Sequence, residues 1–174
     1  MILSPQGLSG SWSAPDLSMY WIGSGPDNGK SFRAYTSDTV NGVCYPGCAF
    51  NGSYTYANGT IWQAQFAPKT IVMDFVNRSV QVTRYKIWNQ NYYTTYSWQL
   101  YGGMRDDWIY NLVDERSGIY GEQTGTVYIC SNPGNYQYYK LIGTVAGSED
   151  FITFIEIELW DETTPSGKLF TFMG

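Results

Sequence analysis

Short runs of β-branched or alternating hydrophobic residues recur along the chain from about residue 61 onwards. In the clearest run, Ile155, Ile157 and Leu159 alternate with Glu156 and Glu158, as expected for a strand with one buried face. Further strands are predicted over residues 70–75, 80–88, 97–101, 108–113, 125–130 and 136–142. Because turn residues separate the runs and no long helical period occurs, the pattern predicts an all-β sandwich or barrel.

The run over 80–88 alternates imperfectly between apolar and polar residues, and it predicts one continuous strand. Since side chains alternate between the two faces of a strand, one face would carry Val80, Val82, Arg84, Lys86 and Trp88.

Residues 1–40 lack a clear period and are rich in Ser, Gly and Pro, with scattered aromatic residues. They are predicted to form an irregular N-terminal arm. Its aromatic side chains would anchor the arm either to the domain of the same chain or to a neighbouring subunit. Residues 41–174 are predicted to form a single β-sandwich domain, since 174 residues are enough for one sizeable core.

Charge and composition narrow the possible partners. The net charge is −5, charged residues make up only 14% of the chain, and Lys and Arg are not clustered. This balance argues against nucleic acid and anionic membranes as partners. The chain has no apolar run of about 18 residues, so no membrane insertion is expected. Its first residues do not resemble a secretory signal peptide. The Tyr-, Asn- and Gly-rich composition suits an extracellular location or the surface of a virion or particle.

Histidine is absent, which excludes Ser-His-Asp and Cys-His catalysis and most zinc sites. Three cysteines are present, and this odd number is not a complete disulfide framework. Cys44 and Cys48 would close a small loop over a Pro-Gly turn if they were oxidised. Alternatively, these two residues and Cys130 are three partly buried thiols.

Several sequence blocks from residue 49 to residue 160 resemble, in order and spacing, the discoidin family, also called coagulation-factor type C or galactose-binding-like domains. The blocks are Ala-Phe-Asn-Gly at 49–52, Thr-Ile-Trp at 60–62, the strand pair 71–75 and 80–87, Ser-Trp-Gln-Leu-Tyr-Gly-Gly at 97–103, Tyr-Tyr-Lys-Leu at 138–141 and Ile-Glu-Ile-Glu-Leu at 155–159. The resemblance implies a jelly-roll β-sandwich of about eight antiparallel strands. Lacking the cysteines of extracellular animal members near residue 160, the chain is more similar to microbial and viral members.

Many sugar-binding discoidin domains hold one structural calcium ion, and the resemblance assigns its ligands to Asn51, Thr60 and Glu156. Calcium prefers six to eight oxygen ligands with carboxylates among them. Asn51 replaces the family's aspartate, so one negative charge is missing. In the alternative interpretation, Asn51 and Gly52 only form a turn, and Glu156 is a solvated strand residue.

Family members are usually binding modules that recognise sugars, phospholipids or proteins through loops. Tyr92 and Tyr93 lie in a polar loop and suit the stacking of a sugar ring or a protein contact. Arg105, in a second loop, suits a pair of sugar hydroxyls or a carboxylate.

Acidic residues that could act in glycoside hydrolysis occur at 106–107, 114–115, 156 and 158. Neighbouring carboxylates on a turn rarely face each other across a substrate, so the chain is not expected to be an enzyme. The sequence predicts a non-catalytic module that recognises glycans or another cell-surface ligand through loops at one end of the sandwich. The alternative is a structural or assembly protein of a virion or surface appendage, which would contact neighbouring subunits through residues 1–40.

Overall fold

The computed structural model describes residues 19–21, 32–36, 46–50, 62–65, 68–89, 95–104, 110–119, 125–146 and 151–161. These residues form thirteen strands and a short 3₁₀ helix, Pro46–Phe50. The strands are β1 (Met19–Trp21), β2 (Phe32–Tyr35), β3 (Trp62–Gln65), β4 (Lys69–Asp74), β5 (Val80–Gln81), β6 (Arg84–Trp88), β7 (Ser97–Gly103), β8 (Asn111–Arg116), β9 (Thr126–Ile129), β10 (Asn135–Tyr136), β11 (Tyr138–Val145), β12 (Phe151–Phe154) and β13 (Glu156–Trp160).

Two antiparallel sheets form the sandwich. The larger has six strands in the order β1-β2-β4-β11-β7-β8, and the smaller has three in the order β13-β6-β9. Two further antiparallel pairs, β12 with β3 and β10 with β5, complete the described strands. Leu100 and Leu141 of the larger sheet share one hydrophobic core with Ile87 and Leu159 of the smaller. The predicted antiparallel β-sandwich is therefore confirmed, and several strands of two to four residues add to the roughly eight that the family resemblance implied.

Residues 19–21 and 32–35 belong to the larger sheet, although the sequence predicted an irregular arm over 1–40. Strand β2 pairs with β4, and Phe32 and Ala34 enter the core while Arg33 and Tyr35 remain partly exposed. This alternation is strand-like, but the surrounding Ser, Gly and Pro residues obscure it in the sequence. The remaining residues of 1–40 lie outside the described ranges.

The prediction of one continuous strand over 80–88 is wrong, because the chain changes face between β5 and β6. Val82 is fully buried in the core, and so are Tyr85 and Ile87, whereas Lys86 is partly exposed. At the change of face, the Thr83 N–H donates to the Trp160 carbonyl (2.9 Å), and the Thr83 carbonyl accepts from the Cys130 N–H (2.9 Å).

Cys48 and Cys130 are both buried, and Cys44 lies outside the described residues, so the predicted Cys44–Cys48 alternative stays open. Burial, with the nearby Asp114 carboxylate, raises the pKa of the Cys130 thiol to about 12, so this thiol is protonated at neutral pH. In the described part of the chain, no helix has the length and apolar character needed to span a bilayer.

Candidate functional site

Buried polar side chains are concentrated at one end of the sandwich, where β6 ends and β7 and β13 begin. Thr95, Thr153 and Glu156 are fully buried, and Asn89 is 3% exposed. Trp88, the last residue of β6, pairs with Glu156, the first residue of β13. We call this region the Thr95 end. Because polar side chains are rarely buried without a role, it is the first place to look for a site.

The flanks of segment 90–94 are both fixed to the junction of β12 and β13. On one flank, the Trp88 carbonyl accepts a hydrogen bond from the Ile155 N–H (2.8 Å). On the other, the Thr95 hydroxyl donates to the Thr153 carbonyl (3.2 Å) and accepts from the Thr153 N–H (3.1 Å). One side chain thus satisfies both backbone groups of Thr153, as a neighbouring strand would. The segment therefore starts and finishes on a rigid base.

The predicted ligand-binding residues fall on segments attached to opposite ends of β7. Tyr92, Tyr93 and Arg105 lie outside the described residues, but the residues that flank them are described. Thr95 precedes the start of β7, and Met104, 56% exposed, follows its last residue. A strand of seven residues spans about 20 Å. The bases of the two segments are therefore too far apart to belong to one small binding site.

Glu156 is the described member of the predicted calcium ligands, and Asn51 and Thr60 lie outside the described residues. Glu156 is fully buried, so the interpretation as a solvated strand residue is wrong. The 3₁₀ helix that ends at Phe50, directly before Asn51, packs against both β13 and β3. The structure thus brings the Glu156 strand together with the segments that lead to Asn51 and Thr60. Among the described residues, no three Asp, Glu or Cys side chains form a cluster.

A second polar network, centred on Asp114, connects edge strands of the two sheets. A β-bulge lies at Val113, because Leu100 pairs with Asp114 but the next residue of β7, Tyr101, pairs with Leu112. The extra residue allows Val113 and Asp114 both to point inwards, and both are buried. No pattern in the sequence indicates this bulge or the burial of Asp114.

The Asp114 carboxylate accepts hydrogen bonds from three neighbouring side chains. The Tyr85 hydroxyl donates to Oδ2 (2.7 Å), Arg116 donates from Nε (2.8 Å) and Nη2 (3.1 Å), and the Ser131 hydroxyl donates to Oδ1 (2.8 Å). The Trp98 indole N–H in turn donates to the Tyr85 hydroxyl (2.9 Å). Burial raises the pKa of Tyr85 well above its usual range, so its hydroxyl keeps the proton that it donates.

Arg116 extends the network from β8 to β9 of the other sheet. Its Nη2 donates to the Ile129 carbonyl (2.7 Å), and its guanidinium lies 5.4 Å from the centroid of the Tyr128 ring. Asp114 and Arg116 thus join the edge strands of the two sheets. These hydrogen bonds occupy both oxygens of the Asp114 carboxylate. The neighbouring Glu115 is exposed and accepts from Gln99 (2.7 Å). The two carboxylates therefore do not face each other across a substrate.

The outer face of the smaller sheet carries two partly exposed tryptophans beside cationic side chains. Lys86 Nζ lies 5.0 Å from the Trp88 ring centroid and 5.4 Å from that of Trp160. Arg84 Cζ lies 5.6 Å from the Trp160 ring centroid. Because these indole rings already contact cations of the same sheet, they are less suited to stacking on a sugar.

No protein-family model and no curated protein sequence matches the chain. Solved structures do match in shape. One is the family 32 carbohydrate-binding module of Clostridium perfringens NanJ in complex with galactose, with TM-score 0.62 and 13% identity, covering 75% of this chain and 93% of that one. Another is chitosan-binding module 1 of the chitosanase/glucanase from Paenibacillus sp. IK-5, with TM-score 0.59 and 20% identity, covering 74% of this chain and 93% of that one.

A third match is the family 32 module of AlyQ in complex with 4,5-unsaturated mannuronic acid, with TM-score 0.59 and 15% identity, covering 73% of this chain and 92% of that one. Family 32 modules share the galactose-binding-like fold that the sequence blocks indicated. These likenesses therefore establish the architecture of the chain as a jelly-roll β-sandwich of the kind found in carbohydrate-binding modules.

Proposed function

We propose that the protein is a non-catalytic carbohydrate-binding module whose ligand is held at the Thr95 end by segment 90–94. The observation that carries the proposal is the rigid base of this segment, which Trp88 and Thr95 fix to the β12–β13 junction. Solved modules with this fold were captured with galactose, GalNAc-β-1,3-galactose and an unsaturated mannuronic acid.

The chemistry of the segment supports a saccharide ligand. Sugars are bound when an aromatic ring covers the apolar face of the pyranose and a few fixed polar groups hold the hydroxyls. Tyr92 and Tyr93 supply aromatic rings, and hydrogen bonds made by the residues on both flanks hold the two ends of the segment in place. Arg105 follows the opposite end of β7, so we do not place it in this site.

The proposal predicts that Tyr92 and Tyr93 carry binding and that Arg105 does not. Wild-type protein is screened on a glycan array, and affinities for the retained saccharide are measured by calorimetry. Tyr92→Ala or Tyr93→Ala is expected to weaken binding by about tenfold or more, because an aromatic contact at the centre of a site is worth more than 1.4 kcal/mol. Arg105→Ala is the matched control and is expected to bind like wild type.

Two results would contradict this assignment. If Arg105→Ala abolishes binding while both tyrosine variants bind normally, the site lies at the other end of β7. If folded wild-type protein binds no saccharide, the glycan proposal fails and a structural or assembly role becomes the better hypothesis. The described strands within residues 1–40 belong to the larger sheet, so less of this segment is left to contact a neighbouring subunit in such a role.

We also propose one structural calcium ion beside Glu156, held with oxygens of Asn51 and Thr60. Glu156 is a fully buried carboxylate, and carboxylate oxygens are the ligands that calcium prefers. Glu156 lies on the strand that packs against the helix leading to Asn51, so the donor set is oxygen-rich, as calcium requires. Bound there, the ion would fix the segments at the Thr95 end and would take no part in chemistry.

Calcium is therefore expected to raise the thermal midpoint of wild-type protein by about 5 °C or more relative to protein in chelator. Glu156→Gln keeps the side-chain shape but removes the charge, and it should abolish most of the increase. Glu115→Gln, on an exposed carboxylate, should leave the increase intact. Equal thermal midpoints for the wild type with and without calcium would contradict the proposed ion site.

A further inference from the structure

We infer that Asn89 is a specificity-determining residue at the Thr95 end and that its side-chain oxygen accepts a hydrogen bond from a hydroxyl group of the bound saccharide. This inference rests on the proposed function and names the part of the ligand that the site reads. Asn89 comes directly before segment 90–94, which carries the two tyrosines.

Asn89 is buried and its amide oxygen is unused. Only 3% of the residue is exposed, and within the described part of the chain Oδ1 accepts no hydrogen bond. An amide oxygen that leaves water without gaining a donor carries a desolvation cost, so such groups are rare in native proteins. A leucine has the same branched skeleton without this cost. The polar side chain therefore points to a donor that arrives from outside the fold.

The surroundings of Asn89 place this unused oxygen at the proposed site. The preceding residue, Trp88, is hydrogen-bonded to Ile155, so Asn89 lies beside the junction of β12 and β13. A second buried side-chain oxygen, Oγ1 of Thr153, also lacks a partner on that junction. Thr95, by contrast, uses its hydroxyl twice to hold Thr153. The Thr95 end thus contains more hydrogen-bonding capacity than the fold consumes.

The chemistry of the group selects its ligand. A neutral amide oxygen accepts hydrogen bonds and offers nothing to an anion, so the missing partner is a donor such as a hydroxyl. A saccharide hydroxyl or an internal water molecule would supply the same bond. A site that hydrogen-bonds a hydroxyl discriminates strongly against ligands that lack it, because the buried acceptor is then left unpaired.

The test combines stability with binding. Asn89→Leu and Asn89→Ala are compared with wild type in thermal unfolding without saccharide and in calorimetry with the saccharide retained on the array. Glu115→Gln, at an exposed residue of β8 outside the Thr95 end, is the control. We expect Asn89→Leu to keep or raise the unfolding midpoint and to weaken binding by about tenfold or more. For the deoxy saccharide that lacks the recognised hydroxyl, the difference in affinity between wild type and Asn89→Leu should become smaller.

Each remaining outcome decides against the inference. If Asn89→Leu lowers the midpoint by several degrees, or if both Asn89 variants fail to fold, an internal water or another donor satisfies Asn89 in the unliganded protein and its role is structural. If wild type and Asn89→Leu bind the saccharide equally, the inference fails while the proposed function stands. If folded wild-type protein binds no saccharide, both fail together.

Discussion

Replacing Asp114 with alanine is expected to lower the free energy of unfolding by about 3 to 5 kcal/mol, the usual range when one partner of a buried ionic network is removed. The variant leaves the Tyr85 hydroxyl without its acceptor in a buried position, and it releases Arg116 from the two bonds that hold its guanidinium. Because Arg116 then no longer fixes β9, the edges of the two sheets lose their main polar connection. Urea denaturation followed by tryptophan fluorescence measures the change, and Trp98 lies in the network.

The neighbouring residue offers a control of the same charge. Glu115→Ala removes an exposed carboxylate from the same strand, so its effect should stay within about 0.5 kcal/mol. Asp114→Asn keeps the shape of the side chain and should fall between the two, since a neutral acceptor holds Arg116 less strongly. Equal stabilities for Asp114→Ala and Glu115→Ala would show that the network contributes little to the fold.

Replacing Gly125 with alanine is expected to destabilise the protein by about 3 kcal/mol, from backbone strain and a steric clash together. Gly125 has a φ of 43°, in the left-handed region that glycine tolerates. A Cβ atom there would lie 2.3 Å from Cε2 of Trp88, so the indole would have to move. Trp88 also packs against Ile155 and contacts Lys86, so its displacement would disturb the Thr95 end.

Gly118→Ala separates the two causes. Gly118 also has a positive φ, 68°, but it is exposed, so the variant tests backbone strain at a solvent-facing position. We expect it to cost about 1 kcal/mol, less than Gly125→Ala by the energy of the clash. If both variants lose the same stability, the contact between Gly125 and Trp88 is unimportant.

Alternation of side chains predicted the fold wherever a strand kept one register. The run around Ile157 and Leu159 forms such a strand, β13, but Glu156 and Glu158 are buried as well, so the expectation of one buried face is wrong. The prediction failed where the backbone left regular alternation. The break at Thr83 reverses the faces before β6, and the bulge at Val113 turns two successive side chains of Asn111–Arg116 inwards. Both irregularities depend on tertiary hydrogen bonds, which no local pattern encodes.

The candidate site was less predictable than the fold. The sequence marked Tyr92 and Tyr93 as a loop, but it could not show that Arg105 follows the opposite end of β7. Nothing in the sequence distinguishes Asn89 and Thr95, because Asn and Thr are common in polar loops and only burial sets these two apart. The burial of these two side chains depends on the tertiary structure and cannot be read from a single sequence.

Strand β11 has a consequence for how the chain folds. It lies between β4 and β7 in the larger sheet and is hydrogen-bonded to both, yet it comes late in the chain, at Tyr138–Val145. Those two earlier strands therefore have no completed sheet to join until the ribosome has synthesised β11. During synthesis, the apolar faces of these strands stay exposed until β11 is available. Such long-range pairing favours slow folding and exposes surface to which chaperones bind.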